Sequence, residues 1–173
     1  MSRVRRTLRY IDQRAEEAII VVIFTYFILI IAVEVTLRYV FNSSTLWGEE
    51  TASHAFVWIS WIAASQAAKK RLHISISIID RYLSPRGKFA MAYFYNGLFI
   101  LLCLFGLRYV WTFIDVYYRY NTLTVASRYP MYLVYAAVPI GYCLMIYRVV
   151  QNMVIDYRDM KVGKPLRQGM EIF

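Results

Sequence analysis

Charged residues are scarce in this chain of 173 residues. Asp, Glu, Lys and Arg make up 18% of the sequence and hydrophobic residues 60%, whereas soluble domains average about 25% charged and about 45–50% apolar residues. So much apolar sequence excludes an intrinsically disordered chain. The composition favours a membrane protein, and the length allows one membrane domain over residues 1–173.

Residues that build disulfides, metal centres and catalytic sites are also few. Cys103 and Cys143 are the two cysteines, and both lie in apolar runs, which excludes a disulfide-stapled secreted domain. His54 and His73 would lie roughly 30 Å apart along one helix, too far to ligate one haem. There is no metal-ligand spacing and no Gly-rich phosphate loop. We therefore expect no enzyme activity, no cofactor and no metal.

Four apolar segments are long enough, or nearly so, to cross a bilayer as helices. They cover residues 18–41, 50–68, 89–114 and 129–150. As soluble core helices they would leave too little polar sequence to cover them. No small-residue cleavage site follows the first segment, so we interpret it as a retained anchor. The sequence predicts an all-α integral membrane protein with four transmembrane helices.

Two basic amphipathic segments, residues 1–17 and 72–86, flank these spans. Such segments often lie in the plane of the membrane interface, although each could instead extend its neighbouring span into water. We predict two interfacial helices on the cytoplasmic side. Residues 151–173 are predicted to form a cytoplasmic tail.

The Lys and Arg residues are distributed unevenly between the two sides. Sixteen lie in the N-terminal segment, the loop after the second span and the tail, and three lie in the other loops. The positive-inside rule then places both termini in the cytoplasm. The net charge of +9 could indicate nucleic acid, but basic residues that flank apolar segments point to anionic lipid headgroups instead.

Polar groups near the middle of the spans are sparse, which disfavours a self-sufficient transporter. Glu34 is the carboxylate inside a span, and it lies near the outer surface. Its simplest interpretation is an i, i+4 pair with Arg38, although Arg38 could equally pair with an acid at the start of the second span. The many small residues of that second span allow close helix approach.

The junction of the first two spans carries a specific pattern. An Arg-aromatic-x-Phe-Asn turn is followed by Trp-x-Glu-Glu and, after the second span, by a basic stretch ending in His-Ile. The residues are Glu34, Arg38, Tyr39, Phe41, Asn42, Trp47, Glu49 and Glu50, then Lys69, Lys70, Arg71 and His73. The fourth span opens Pro-Met-Tyr-Leu-Val-Tyr at residues 130–135.

In these motifs, over roughly residues 15 to 150, the chain resembles the small membrane subunit, or Q component, of tripartite ATP-independent periplasmic (TRAP) transporters. Many members have glycine at the positions of Ala63 and Arg71. The resemblance implies a non-catalytic subunit of a sodium-coupled importer in the bacterial inner membrane. Its partners would be a large membrane subunit that carries the solute site, a periplasmic substrate-binding protein and membrane lipids, but no nucleic acid.

The resemblance further implies an organic acid as the solute, of the sialic acid or C4-dicarboxylate class, and a scaffolding role beside a large elevator subunit. Glu49 and Glu50 would then either fix the hairpin or meet a partner. The candidates for binding-protein contact are Tyr117, Tyr118, Arg119, Asn121 and Arg128, which an ordinary interfacial belt also explains. A self-sufficient homo-oligomeric transporter or channel is the alternative.

Overall fold

Helices account for nearly all of the chain that the structure describes. In this computed structural model, the described residues are 3–43, 45–71 and 85–162, with side chains described for 16–43, 45–71 and 87–162. The helices are α1 (Arg3–Tyr39), α2 (Leu46–Lys69), α3 (Pro85–Arg119), α4 (Met131–Tyr135) and α5 (Ala137–Lys161). Over those residues there is no strand beyond one isolated bridge, so the all-α prediction is confirmed.

An asparagine with positive φ follows the end of α1, and another follows the end of α3. Asn42 and Asn121 both have positive φ, 49° and 46°, a conformation that asparagine tolerates better than most residues and that commonly follows a helix C-terminus. After α3, the Thr122 N–H donates to the Tyr117 carbonyl at 3.2 Å, so a helix carbonyl that would otherwise be unpaired is satisfied. The Asn of the hairpin motif therefore has a backbone role.

Three stretches of helix are long and apolar enough to cross a membrane: Glu16–Tyr39, Gly87–Arg119 and Met131–Lys161. The chain is thus a multi-pass membrane protein, but the expected count of four spans is not confirmed. With 24 residues, α2 is about 36 Å long, enough to span a bilayer. It falls short in composition, because small and polar residues such as Ser53, Ser60 and Gln66 interrupt its apolar sequence.

The predicted interfacial segments have different outcomes. Residues 3–17 continue α1 without a break, so the backbone does not separate them from the span, and their position at an interface stays a prediction. Residues 151–161 of the predicted tail likewise continue α5. Of the predicted helix 72–86, only residues 85–86 are described, as the start of α3. His73 and residues 163–173 lie outside the described residues.

The long helices form a row in the order α1, α2, α5, α3. Each packs on the next, and α1 and α3, at the two edges, share no extended packing over the described residues. A small core joins α2, α3 and α5 around Cys103 and Met145, which are 1% and 5% exposed. At Gly141, an added Cβ would lie 2.8 Å from the Cβ of Trp61, so glycine there lets α5 approach α2 closely.

The row leaves most apolar side chains uncovered. In both α1 and α3, only 6% of the most apolar window is buried within the chain. The small residues of α2 account for much of the buried surface, because Ala52, Ala55, Ser65 and Ala68 all face neighbouring helices. These small residues are therefore used for packing within the chain.

Candidate functional site

The end of the row that carries the α1–α2 turn is called here the hairpin end. There, the buried carboxylate of Glu34 receives hydrogen bonds from Thr45, the residue before α2. The Thr45 hydroxyl donates to one carboxylate oxygen and its N–H donates to the other at 3.2 Å. A negative charge at a helix N-terminus is favoured by the helix dipole. Glu34 thus caps α2 from α1, and an added Cβ at Gly48 would overlap its carboxylate.

Arg38 pairs with Glu49 at the hairpin end, which is the second of the two partners that the sequence left open. The simpler i, i+4 pairing with Glu34 is not formed, because the Glu34 carboxylate accepts hydrogen bonds from Thr45 instead. The Arg38 and Glu49 side chains are 49% and 57% exposed. An ion pair so exposed contributes little to stability, which leaves both groups accessible to a partner.

Glu50 binds the loop between α3 and α4, residues 120–130, called here the outer loop. Its carboxylate accepts hydrogen bonds from three consecutive backbone N–H groups: Val125 at 2.8 Å, Ala126 at 3.2 Å and Ser127 at 2.6 Å. Successive N–H groups that converge in this way form a concave anion site. The two adjacent acids of the motif therefore diverge, because Glu49 contacts α1 and Glu50 contacts the outer loop.

The aromatic residues of the motif and the outer loop differ in exposure. Tyr39 and Phe41 are 80% and 67% exposed and lie at the tip of the hairpin, with Trp47 beside them. Tyr117 stacks on Tyr135 with ring centroids 4.8 Å apart, so part of its side-chain surface is buried by contacts within the chain. Tyr118 meets Tyr132 edge-on and is still exposed.

The remaining candidates for partner contact are polar and exposed. Arg119 pairs with Asp115 one turn earlier at 2.8 Å, with 73% of its side chain exposed. Asn121 ends α3, as described above. Arg128 is exposed and has φ of 58°, an uncommon backbone for arginine. The structure thus brings four of the five candidates to one exposed end of the row, with Tyr117 half-buried among them.

The opposite end of the row, where α2 and α5 finish, is called here the tail end. Of the basic residues predicted there, Arg71 makes two bonds to Asp156, at 2.7 and 3.1 Å. Arg71 has φ of 58°, the conformation that glycine adopts most readily after a helix. Lys70 lies 3.6 Å from Glu17 in an exposed pair, and Lys69 is the last residue of α2.

A third ion pair at the tail end joins Glu16 and Arg148, and sequence reasoning missed it. Glu16 and Arg148 are 5% and 3% exposed, and Arg148 donates to one carboxylate oxygen through Nε at 2.8 Å and Nη2 at 2.7 Å. The available signal was the presence of opposite charges at the cytoplasmic boundaries of the first and last predicted spans. That signal is weak, because many other charges lie at the same predicted depth.

The contacts described above join helices to one another and to the outer loop. Within the ranges described, no group of three or more His, Cys, Asp or Glu residues could hold a metal ion. A groove of about 570 Å³ runs between α1 and α2 below Glu34 and Arg38. A second cavity of about 550 Å³ is lined by Tyr26, His54 and Trp58, and the Nδ1 of His54 is buried there without a hydrogen-bond partner.

The hairpin motif falls inside a recognised family region. The model of the tripartite ATP-independent periplasmic transporters, DctQ component, matches residues 27–159. The chain belongs to this family. The match includes the three acids of the hairpin end as well as Arg71, Arg148 and Asp156, so it covers the polar contacts described above except those of Glu16 and Glu17. The resemblance found in the sequence is confirmed, and the family is a transporter component.

Three relatives carry related names. A TRAP transporter small permease protein of Haemophilus influenzae is 27% identical over 100 residues, which is 58% of this chain and 62% of the relative. The sialic acid TRAP transporter permease protein SiaT of H. influenzae is 26% identical over 141 residues, 79% of this chain and 22% of the relative. The isethionate TRAP transporter permease protein DctMQ of Oleidesulfovibrio alaskensis is 26% identical over 152 residues, 84% and 24%.

The chain therefore spans less than two thirds of each of these three relatives. In the SiaT and DctMQ permeases, more than three quarters of the protein lies beyond the region that matches this chain. The similarity thus concerns one part of a larger permease.

Proposed function

We propose that this DctQ-family chain is the non-catalytic small permease subunit of a TRAP importer and that it scaffolds a large membrane subunit. The observation that carries the proposal is the open row of helices. A closed bundle would bury its apolar faces internally, whereas this row leaves both edges and much of both faces uncovered. Such surface suits contact with lipid and with another membrane protein.

The longer relatives support the same partner. Because the matched region is 22% of SiaT and 24% of DctMQ, most of each of those permeases lies outside the part that resembles this chain, where a large subunit would lie. We propose that a large subunit of this kind forms a heterodimer with the present chain. It would carry the solute and sodium sites and move as an elevator, while the row of helices stays fixed in the bilayer.

The proposed location is the bacterial inner membrane, with the tail end in the cytoplasm and the hairpin end facing the periplasm. The excess of Lys and Arg in the segments at the tail end supports this orientation. The outer loop would then lie where a periplasmic substrate-binding protein docks, with Tyr118, Arg119, Asn121 and Arg128 exposed toward it. The Glu50 contact would keep that loop in place.

The proposed solute is an organic acid. The names of two relatives specify sialic acid and isethionate, and we keep sialic acid and C4-dicarboxylates as the candidate class. The described residues of this chain form no buried basic site open to a carboxylate, since Arg148 and Arg71 both engage acids. We therefore expect solute choice to reside in the other two components.

The test is purification of the tagged chain from its native membrane in mild detergent, followed by mass spectrometry. Recovery of a many-spanning permease at a one-to-one ratio, with solute uptake in proteoliposomes only when both chains are present, is the expected result. A chain that comes out alone or as a homo-oligomer and transports by itself would overturn the proposal in favour of a self-sufficient transporter.

A further inference from the structure

Helix α3 lies at one edge of the row and has a covered face and an uncovered face. On the covered face, Cys103 is 1% exposed and an added Cβ at Gly106 would lie 2.6 Å from the ring of Tyr142. On the uncovered face, Leu101 and Leu104 are 64% and 53% exposed. Nothing within the described residues packs on the uncovered face. The polar and small residues on that face therefore indicate which kind of molecule packs against it.

Arg108 lies on the uncovered face, inside the candidate span Gly87–Arg119. It lies eleven residues before the end of that stretch, roughly 17 Å along the helix. Arg108 donates a hydrogen bond to the Thr112 hydroxyl at 3.3 Å, and no carboxylate of the described residues forms an ion pair with it. A charged side chain inside a span is costly when it faces lipid and is usually paired.

Gly97 lies three turns before Arg108 on the same face, since eleven residues make very nearly three turns. An added Cβ at Gly97 would meet nothing within 4 Å, unlike one at Gly106 or Gly141. Glycine weakens a helix relative to alanine, and packing within the chain does not explain its presence here. In membrane helices, an uncovered glycine allows the backbone of another helix to approach closely.

The opposite edge of the row differs in chemistry. The uncovered side chains of α1 include Val21, Val22 and Leu29, which are 62%, 69% and 61% exposed. The α1 span from residue 18 to residue 33 carries no charged residue. Lipid tails are a sufficient neighbour for such a surface, whereas they leave Arg108 without a counter-charge.

We propose that the large membrane subunit packs on the uncovered face of α3, defined by Gly97, Leu101, Leu104, Arg108 and Thr112, with an acidic side chain of that subunit paired to Arg108. This inference rests on the proposed function and specifies the surface that it uses. A helix of the partner crosses close to Gly97, and its carboxylate lies at the depth of Arg108. The α1 edge stays in contact with lipid.

The first test places a photo-activated cross-linking residue in the intact complex in its native membrane. The cross-linker replaces Leu104 on α3 or, as a matched control, Leu29 on α1. The expected result is a covalent adduct between position 104 and a peptide of the many-spanning permease, with lipid adducts alone at position 29. Lipid adducts alone at position 104, or a dimer of this chain linked through it, would overturn the inference.

The second test measures how much permease is recovered with tagged variants. Arg108→Leu and Gly97→Leu should each lower the amount of recovered permease by roughly ten-fold or more. The controls are Arg108→Lys, which keeps the charge, and Leu29→Ala on the α1 edge, and both should recover the permease as the wild type does. If Arg108→Glu loses the permease, exchange of one acid for arginine within the cross-linked peptide should restore it. If the wild type and all variants recover the permease equally, the α3 inference is wrong and the proposed function stands. If the wild type recovers no permease, the proposed function itself is wrong.

Discussion

Breaking the Glu16–Arg148 pair should cost more stability than any other single polar change at the tail end. Both side chains are nearly inaccessible, and the two donor nitrogens of Arg148 converge on one oxygen of Glu16. The second carboxylate oxygen has no hydrogen-bond partner, so the acid is already incompletely satisfied. Removal of one partner leaves a buried charge uncompensated, which costs about 3–5 kcal/mol.

The half-satisfied carboxylate favours the lower end of that range. Glu16→Leu and Arg148→Met should each lower the free energy of unfolding by about 3 kcal/mol. The double variant replaces the pair with apolar groups of similar size and should return to within about 1 kcal/mol of the wild type. The coupling between the two positions is then about 5 kcal/mol or more.

The assay is reversible unfolding of the purified chain in mixed micelles, followed by the helical circular dichroism signal as denaturing detergent is added. Lys70→Ala is the matched control, because it breaks another ion pair of α1 at the tail end, between Glu17 and the residue after α2, whose side chains are 50% and 40% exposed. The control should cost less than about 1 kcal/mol. Single variants at positions 16 and 148 as mild as the control, or strictly additive ones, would refute a buried, coupled pair.

Four further substitutions test two of the glycines and the polar contacts at the two ends. Gly48→Ala should destabilise the chain by about 1–3 kcal/mol in the same unfolding assay through overpacking, whereas Gly97→Ala, with open space around it, should be neutral or gain up to about 1 kcal/mol. Glu50→Ala should increase the rate of hydrogen exchange in the outer loop, and unchanged protection there would argue against its anchoring role. Arg71→Gly should relieve the left-handed backbone yet destabilise the chain, because it leaves Asp156 buried without its partner; addition of Asp156→Asn should recover stability.

The sequence predicted the helices of this fold better than it predicted which helices pack against each other. Long apolar runs specify helices wherever they occur. Three of the expected spans coincide with helices that could cross a membrane. The remaining expected span, residues 50–68, is not confirmed, because α2 contains many small residues, which pack inside the row, in place of larger apolar ones.

The pairing of polar groups was harder to predict. Arg38 had two acids within reach, and only the position of α2 relative to α1 selects Glu49. Glu16 and Arg148 are 132 positions apart in sequence, so no periodic pattern connects them. The order of helices in the row also has no local signal, since an apolar helix can pack on any neighbour. These features depend on the tertiary arrangement.

The open packing order of the long helices has a mechanical consequence for the proposed complex. Four helices about 10 Å wide would present about 90 Å of perimeter to lipid if they lay in a single layer with one narrow edge against the large subunit. Shifting such a layer by 1 Å along the bilayer normal would expose about 90 Å² of apolar surface, equivalent to an upper limit of about 2 kcal/mol. Bilayer deformation reduces this value. In the proposed complex, these helices would therefore resist displacement of the large subunit along the bilayer normal.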